Sequence, residues 1–215
     1  MLTNIPIRNP ELLDILEGMR SLFMEKYSPE DTNRLIGSFE DTAEDWVGED
    51  YRKEIMAQGR EHIGYPIRAR SYALKPEHYL EKNSEAYSQY KADFREFDEA
   101  IKVELGIAQN ALSQLYPPQG FISWHNNADA PGYNLIFTWS ETGDGWFKYV
   151  DEEGKVNTIY DTKGWTLKAG YFGTYDDNDV CYHAAYTSCW RMTHSFVVSK
   201  DKDFWLDCIE HIKGE

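Results

Sequence analysis

Apolar residues recur at helical spacing through the first half of the chain and in short strand-like runs through the second. After Asn9-Pro10, a cap and first-turn pair, Leu12, Leu13, Ile15, Leu16, Met19, Leu22 and Phe23 predict a helix. "SPED" (28–31) and "TAED" (42–45) each offer a hydroxyl cap with an acid three residues on. Between them "NRLIGSF" reads as a short helix, and "DWVGEDYRKEIMAQG" as another that ends at Gly59. The stretch 65–74, "YPIRARSYAL", has no helical stripe and reads as extended. Tyr87, Tyr90, Phe94, Phe97, Ile101 and Leu105 then fall on one face of a long helix over about 84–106. Beyond Pro117-Pro118 come "GFISWH", "YNLIFTW", "GWFKYV", "KVNTIY", "GWTLKAGYF", "DVCYHAAY" and "CWRMTHSFVV", separated by turn residues, with "DEEGK" as a hairpin turn. Such a series predicts an all-β sandwich or jelly roll. "DKDFWLDCIEHIKG" closes the chain as a helix.

The expected class is therefore α+β: N-terminal helices packed on a C-terminal jelly roll, with a short closing helix. In domain terms, residues 1–106 form a helical region with one extended segment, 107–200 the jelly-roll core and 201–215 the last helix, all in one integrated domain. The 25 aromatic Tyr and Phe residues and 41 % apolar content suit a packed core. A net charge of −15 disfavours binding to phosphate backbones, so no nucleic-acid partner is expected. No charged start followed by an apolar stretch marks a signal peptide, and no apolar run approaches a membrane span. Three cysteines without CxxC spacing fit a cytoplasmic protein better than a disulfide framework.

Three residues of the β half are candidate chemistry. His125 ends the first run in "SWHNNADAPG", His183 lies in "CYHAAY", and Arg191 lies in "WRMTHSF". Each has a bland reading: a strand histidine is usually a hydrogen-bonded wall residue, and a lone strand arginine is usually exposed or ion-paired. Thr193 shares a strand face with Arg191, and His194 should point the opposite way. No phosphate loop, GxSxG elbow or HExxH motif is present.

Together, over roughly residues 105–200, these residues resemble the 2-oxoglutarate/Fe(II)-dependent oxygenases. That family carries His-x-Asp or His-x-Glu after an early strand of a double-stranded β-helix, then a distal His and an Arg in a following strand. The resemblance implies Fe(II) held by His125 and His183, and the far carboxylate of 2-oxoglutarate clamped by Arg191 and Thr193. It implies hydroxylation of a small-molecule or peptide substrate, with no catalytic side chain beyond the metal centre. The departure is Asn127, where the family has its acid. Positions i and i+2 of a strand share a face about 7 Å apart. Three readings stay open: two histidines with water or Asn127 completing the site, Asp129 brought in by the turn at Ala130-Pro131-Gly132, or a dead site on a retained fold. The rival function is a non-catalytic jelly-roll interaction or assembly protein. A cupin-like metal protein, with Arg191 idle, is a third reading.

Overall fold

The computed structural model describes residues 2–27, 40–62, 64–74, 84–127, 130–176, 179–198 and 201–215, and the backbone alone of 35–36. Its strands are β1 (Thr3–Pro6), β2 (Leu35–Ile36), β3 (Ala69–Ala73), β4 (Gln109–Tyr116), β5 (Phe121–His125), β6 (Gly132–Ser140), β7 (Gly145–Val150), β8 (Val156–Tyr160), β9 (Gly164–Phe172), β10 (His183–Thr187) and β11 (Arg191–Val198). All pairings are antiparallel, in the order β1-β9-β6-β11-β4-β3-β5-β10-β7-β8, with β2 on the side of β3. β3 is the corner: Tyr72 and Ala73 pair with β4, while Ala69 and Arg70 pair with β5. The result is a nearly closed, jelly-roll-like barrel of two facing sheets.

The helices are α1 (Pro10–Ser21), α2 (Ala43–Val47), α3 (Glu49–Gln58), α4 (Glu85–Leu105) and α5 (Lys202–Lys213). Local chemistry sets their ends. The Asn9 side chain accepts from the Leu12 N–H and the Ser84 hydroxyl from the Tyr87 N–H, both at 3.0 Å, while Gly106 stops α4 in the left-handed region at φ 66°. Leu12 and Leu16, Ile101 and Leu105, and Cys208, Ile209 and Ile212 then pack on Leu135, Phe137, Leu167, Ala169 and Phe196 of the first sheet. Val47, Tyr51 and Ile55 cover Phe121, Trp124 and Ala184 of the second.

Several differences from the sequence reading have physical causes. Leu35–Ile36 is a strand against β3, where a short helix was expected; "SPED" lies outside the described residues. The helix expected to end at Gly59 is two helices separated at Gly48, whose backbone is extended (ψ 174°). β1 and β4 were not anticipated. β1 is only four residues long, and β4 follows Gly106 with the mixed pattern "QNALSQLY". The seven strands read after Pro118, the hairpin at Asp151–Lys155 and the closing helix are present.

Because outward residues of β6, β9 and β11 meet helices, the first sheet is buried on both faces. Phe137 is fully buried there, edge-on to Phe196 with centroids 6.2 Å apart. Phe137→Ala should cost about 3–5 kcal/mol, read as a lower urea midpoint at unchanged m-value.

Candidate metal and carboxylate site inside the barrel

A β-bulge sets the direction of His125. Opposite β10, His183 pairs with His125 but Ala185 pairs with Ile122, so Ser123 and Trp124 of β5 face Ala184 alone. The extra residue flips the alternation. Ile122 joins the interior cluster, Trp124 points outward and donates to the Val47 carbonyl at 3.0 Å, and His125 turns back inward. The His125 and His183 rings stand with centroids 4.1 Å apart, both buried.

Each ring is oriented by its own chain. His125 Nδ1 lies 2.8 Å from the Ser123 carbonyl, and His183 Nδ1 lies 2.9 Å from the Cys181 carbonyl. A carbonyl only accepts, so each Nδ1 carries the proton and each neutral ring keeps an Nε2 lone pair. Burial, and for His125 also the neighbouring His183, pushes the His125 pKa well down; burial pushes His183 down to about 4. Two neutral imidazoles with Nδ1 anchored to backbone carbonyls are the form in which histidine binds a metal. Phe147 stacks on His183 at 5.5 Å, and Phe172 lies at 4.7 Å.

The expected same-face relation of His125 and Asn127 does not hold, because β5 ends at His125. Asn127 is half-buried in the left-handed region at φ 61°, a conformation Asn tolerates better than most residues, and its carbonyl accepts from the Ala130 N–H. Asp129 lies outside the described residues. Among the described residues, no group of three or more His, Cys, Asp or Glu side chains could hold a metal ion. The fit to iron among the described residues therefore rests on the two imidazoles.

Arg191 and Thr193 face the interior from β11, whereas Met192 points into the helix layer and His194, fully buried, meets Ser113 at 2.7 Å and Asp98 of α4 at 3.3 Å. Arg191 already has a carboxylate. Its Nε donates to Asp161 Oδ2 at 2.9 Å and its Nη1 to Thr193 Oγ1 at 2.7 Å, while Asp161 Oδ1 receives Lys168 Nζ at 2.7 Å. The three charged side chains are 0–2 % exposed. Burial favours a neutral Asp161, yet the charges of Arg191 and Lys168 outweigh it and hold the carboxyl below its usual value. For Lys168 burial prevails over the attraction of Asp161, Arg191 adds repulsion, and the ammonium is pushed down to about 8. The two directions agree physically: one carboxylate cannot balance two cations, and the lysine proton is the weakest held.

Sequence reasoning missed Asp161 and Lys168. Asp161 looked like a turn residue in "YDTKG", and Lys168 sits in "TLKAGY", a strand with both faces buried, where alternation marks no inner side. Asp161 fits only because residue 145 is glycine: a Cβ there would meet Asp161 Oδ2 at 2.5 Å and the Tyr186 carbonyl at 3.0 Å. His62, also missed, is 8 % exposed, accepts from the Gly64 N–H through Nδ1 at 2.9 Å and adds to the electrostatic load on His125.

The inner face around Arg191 holds polar atoms without hydrogen-bond partners. Thr166, Thr138 and Thr193 form one cross-strand row on β9, β6 and β11. Thr138 Oγ1, Thr166 Oγ1 and Arg191 Nη2 are all buried and have no hydrogen-bond partner among the described residues. A guanidinium N–H group and two hydroxyls left unmatched, in a cluster of net charge +1, fit an incoming carboxylate.

No family model matches the chain, and no curated protein matches it significantly. Among solved structures, it is similar to a prolyl-4-hydroxylase of Pseudomonas putida at 14 % identity and a TM-score of 0.41, covering 93 % of this chain and 92 % of that one. It is also similar to a prolyl hydroxylase of Trichoplax adhaerens, solved with a hypoxia-inducible factor oxygen-degradation-domain peptide. There the identity is 13 % and the TM-score 0.32, covering 91 % and 93 %. Both likenesses are distant, so the interior geometry of this chain has to carry the functional reading. No helix among the described residues is long and apolar enough to cross a membrane.

The charge count makes a test. Lys168→Met leaves the neutral Asp161–Arg191 pair and should be neutral or stabilising by about 1–4 kcal/mol, whereas Asp161→Ala strands two cations and should cost about 3–5 kcal/mol. Asp161, its folded pKa lowered, contributes stability that is full above about pH 4 and lost as pH falls through its folded value. Urea midpoints between pH 7 and 2.5 should show that acid loss in the wild type and Lys168→Met, and less of it in Asp161→Ala.

Proposed function

We propose that the chain is a 2-oxoglutarate- and Fe(II)-dependent oxygenase on a double-stranded β-helix, hydroxylating a substrate at one end of the barrel. The observation that carries this reading is the His125–His183 pair, 4.1 Å apart and anchored through both Nδ1 atoms. Nε2 of each would hold iron, with the Asn127 amide oxygen, water or Asp129 in the third position. The far carboxylate of 2-oxoglutarate would meet Arg191 Nη2 and the hydroxyls of Thr138 and Thr166. Asp161 and Thr193 act as positioning residues, fixing the guanidinium through Nε and Nη1 so that Nη2 is the group presented. Lys168 supplies the excess charge that a dianionic ligand would balance. Ile122, Ile136, Phe147, Phe172 and Ala185 line the interior cluster and exclude water. When bound, iron and the keto acid supply the oxidising chemistry, coupling dioxygen activation to release of succinate and carbon dioxide.

A second reading, a non-catalytic jelly-roll protein, is favoured by one observation: Asp161 already supplies Arg191 with an internal carboxylate.

Anaerobic titration of metal-free protein with Fe(II) and then 2-oxoglutarate separates the two. The oxygenase reading expects a saturable visible charge-transfer band that His183→Ala abolishes. Arg191→Met leaves the neutral Asp161–Lys168 pair, so it should fold, keep iron and bind 2-oxoglutarate about 10- to 100-fold more weakly, as loss of a charged hydrogen bond implies. No band and no bound iron would give the structural reading the lead.

A further inference from the structure

A second cavity adjoins the histidine end of the barrel. It encloses about 540 Å³, within the range of small-ligand sites. Its position follows from the strands: Tyr149 is the register partner of His183, and Cys181 and Tyr182, which also line it, immediately precede that histidine. Leu2 forms one wall, packed against Gly170 where a Cβ would meet its Cγ at 2.7 Å, and its carbonyl receives the Tyr149 hydroxyl at 3.3 Å.

Four tyrosines, Tyr149, Tyr171, Tyr175 and Tyr182, contribute walls. The Tyr175 hydroxyl fixes one side rigidly: it donates to the Gly59 carbonyl, accepts from Asn126 and meets the Tyr182 hydroxyl, each at 2.6 Å. Asn126 is next to His125 in the chain, which sets this wall beside the proposed metal pair. Among the described residues that line it, the charged ones are Asp151, Glu152, Glu153 and Asp179 against Lys155. Asp151 is committed to the β7–β8 turn, accepting from the Glu153 and Lys155 N–H groups, whereas Glu152 and Glu153 are exposed. Outside the lining, Arg60 pairs with Asp176 and lies 5.4 Å over the Tyr175 ring, so an arginine already uses one of these rings as a cation platform.

We infer that this cavity is the substrate site and takes a cationic side chain, an ammonium or guanidinium group held between tyrosine faces and hairpin carboxylates. The inference deepens the oxygenase reading, on which the word substrate rests; the cation preference stands independently of it.

The test is calorimetry on the full chain without added metal, so that its failure is distinct from failure of the iron and 2-oxoglutarate titration. The probes are agmatine, the blocked tripeptide Ac-Ala-Arg-Ala-NH2, and neutral 1,5-pentanediol and anionic glutarate as controls of similar length. Saturable binding of agmatine or the tripeptide, at least tenfold tighter than either control, is expected, and the tighter of the two identifies a free amine or a peptide as the source. Glu152→Gln/Glu153→Gln, two exposed turn positions, should weaken it three- to tenfold at low salt and less at high salt. Tyr171→Leu should weaken it at both. Equal binding of pentanediol, or cation binding untouched by all of these changes, would overturn the assignment.

Discussion

Asp161 is the one negative charge between Arg191 and Lys168 inside the barrel, and the design of the interior follows from that imbalance. A buried carboxylate between two cations is stable only if its lone pairs are filled and the chain gives it room. Arg191 and Lys168 do the first, and the missing side chain of Gly145 does the second. Among the described residues, neither cation has a second acidic partner. Burial depresses the lysine and the surplus positive charge adds to it, while one guanidinium nitrogen stays unmatched beside two threonine hydroxyls without partners among the described residues. A protein interior tolerates such a cluster poorly unless something else completes it. The barrel is thus divided lengthwise: charge and hydroxyls at the Arg191 end, apolar rings in the middle, two neutral imidazoles at the other end.

How much of this was legible depended on whether a residue's role was set by local pattern or by a distant neighbour. The stripe from Tyr87 to Leu105, the caps at Asn9 and Ser84 and the turn at Asp151–Lys155 are local, and the helices and hairpin follow from them. β4 is set by its partners, β11 and β3, because "QNALSQLY" has no clean period of its own. The order His125, His183, Arg191 was visible because each stands at a strand end in a recognisable series. Their mutual geometry was not. The bulge that turns His125 inward appears only when β5 is aligned with β10, and the arginine's internal carboxylate comes from the end of β8, thirty residues away. Asn127 shows the limit of extrapolating a strand: the same-face argument was sound for an extended chain, but the extension stops two residues too early.

Both proposed sites use the same economy. The histidine pair costs the fold little, because each imidazole hydrogen-bonds the carbonyl two residues before it in the chain and stays neutral. The cavity beside it likewise ties the Tyr149, Tyr175 and Tyr182 hydroxyls to protein partners and carries two exposed turn glutamates. Two chemically opposite regions, one seeking a carboxylate and one repelling it, can coexist in one barrel because the apolar middle separates them.

The edge strand β1 bears on the order in which this chain can fold during synthesis. Thr3 pairs with Ala169 and Ile5 with Leu167, so β1 leaves the ribosome long before the strand it joins. Loop closure across that separation comes late. Until β9 emerges, β1 has no strand to pair with, and the wall that Leu2 contributes beside Gly170 is set only after it. The mouth of the barrel is closed by a strand made long before the one it pairs with.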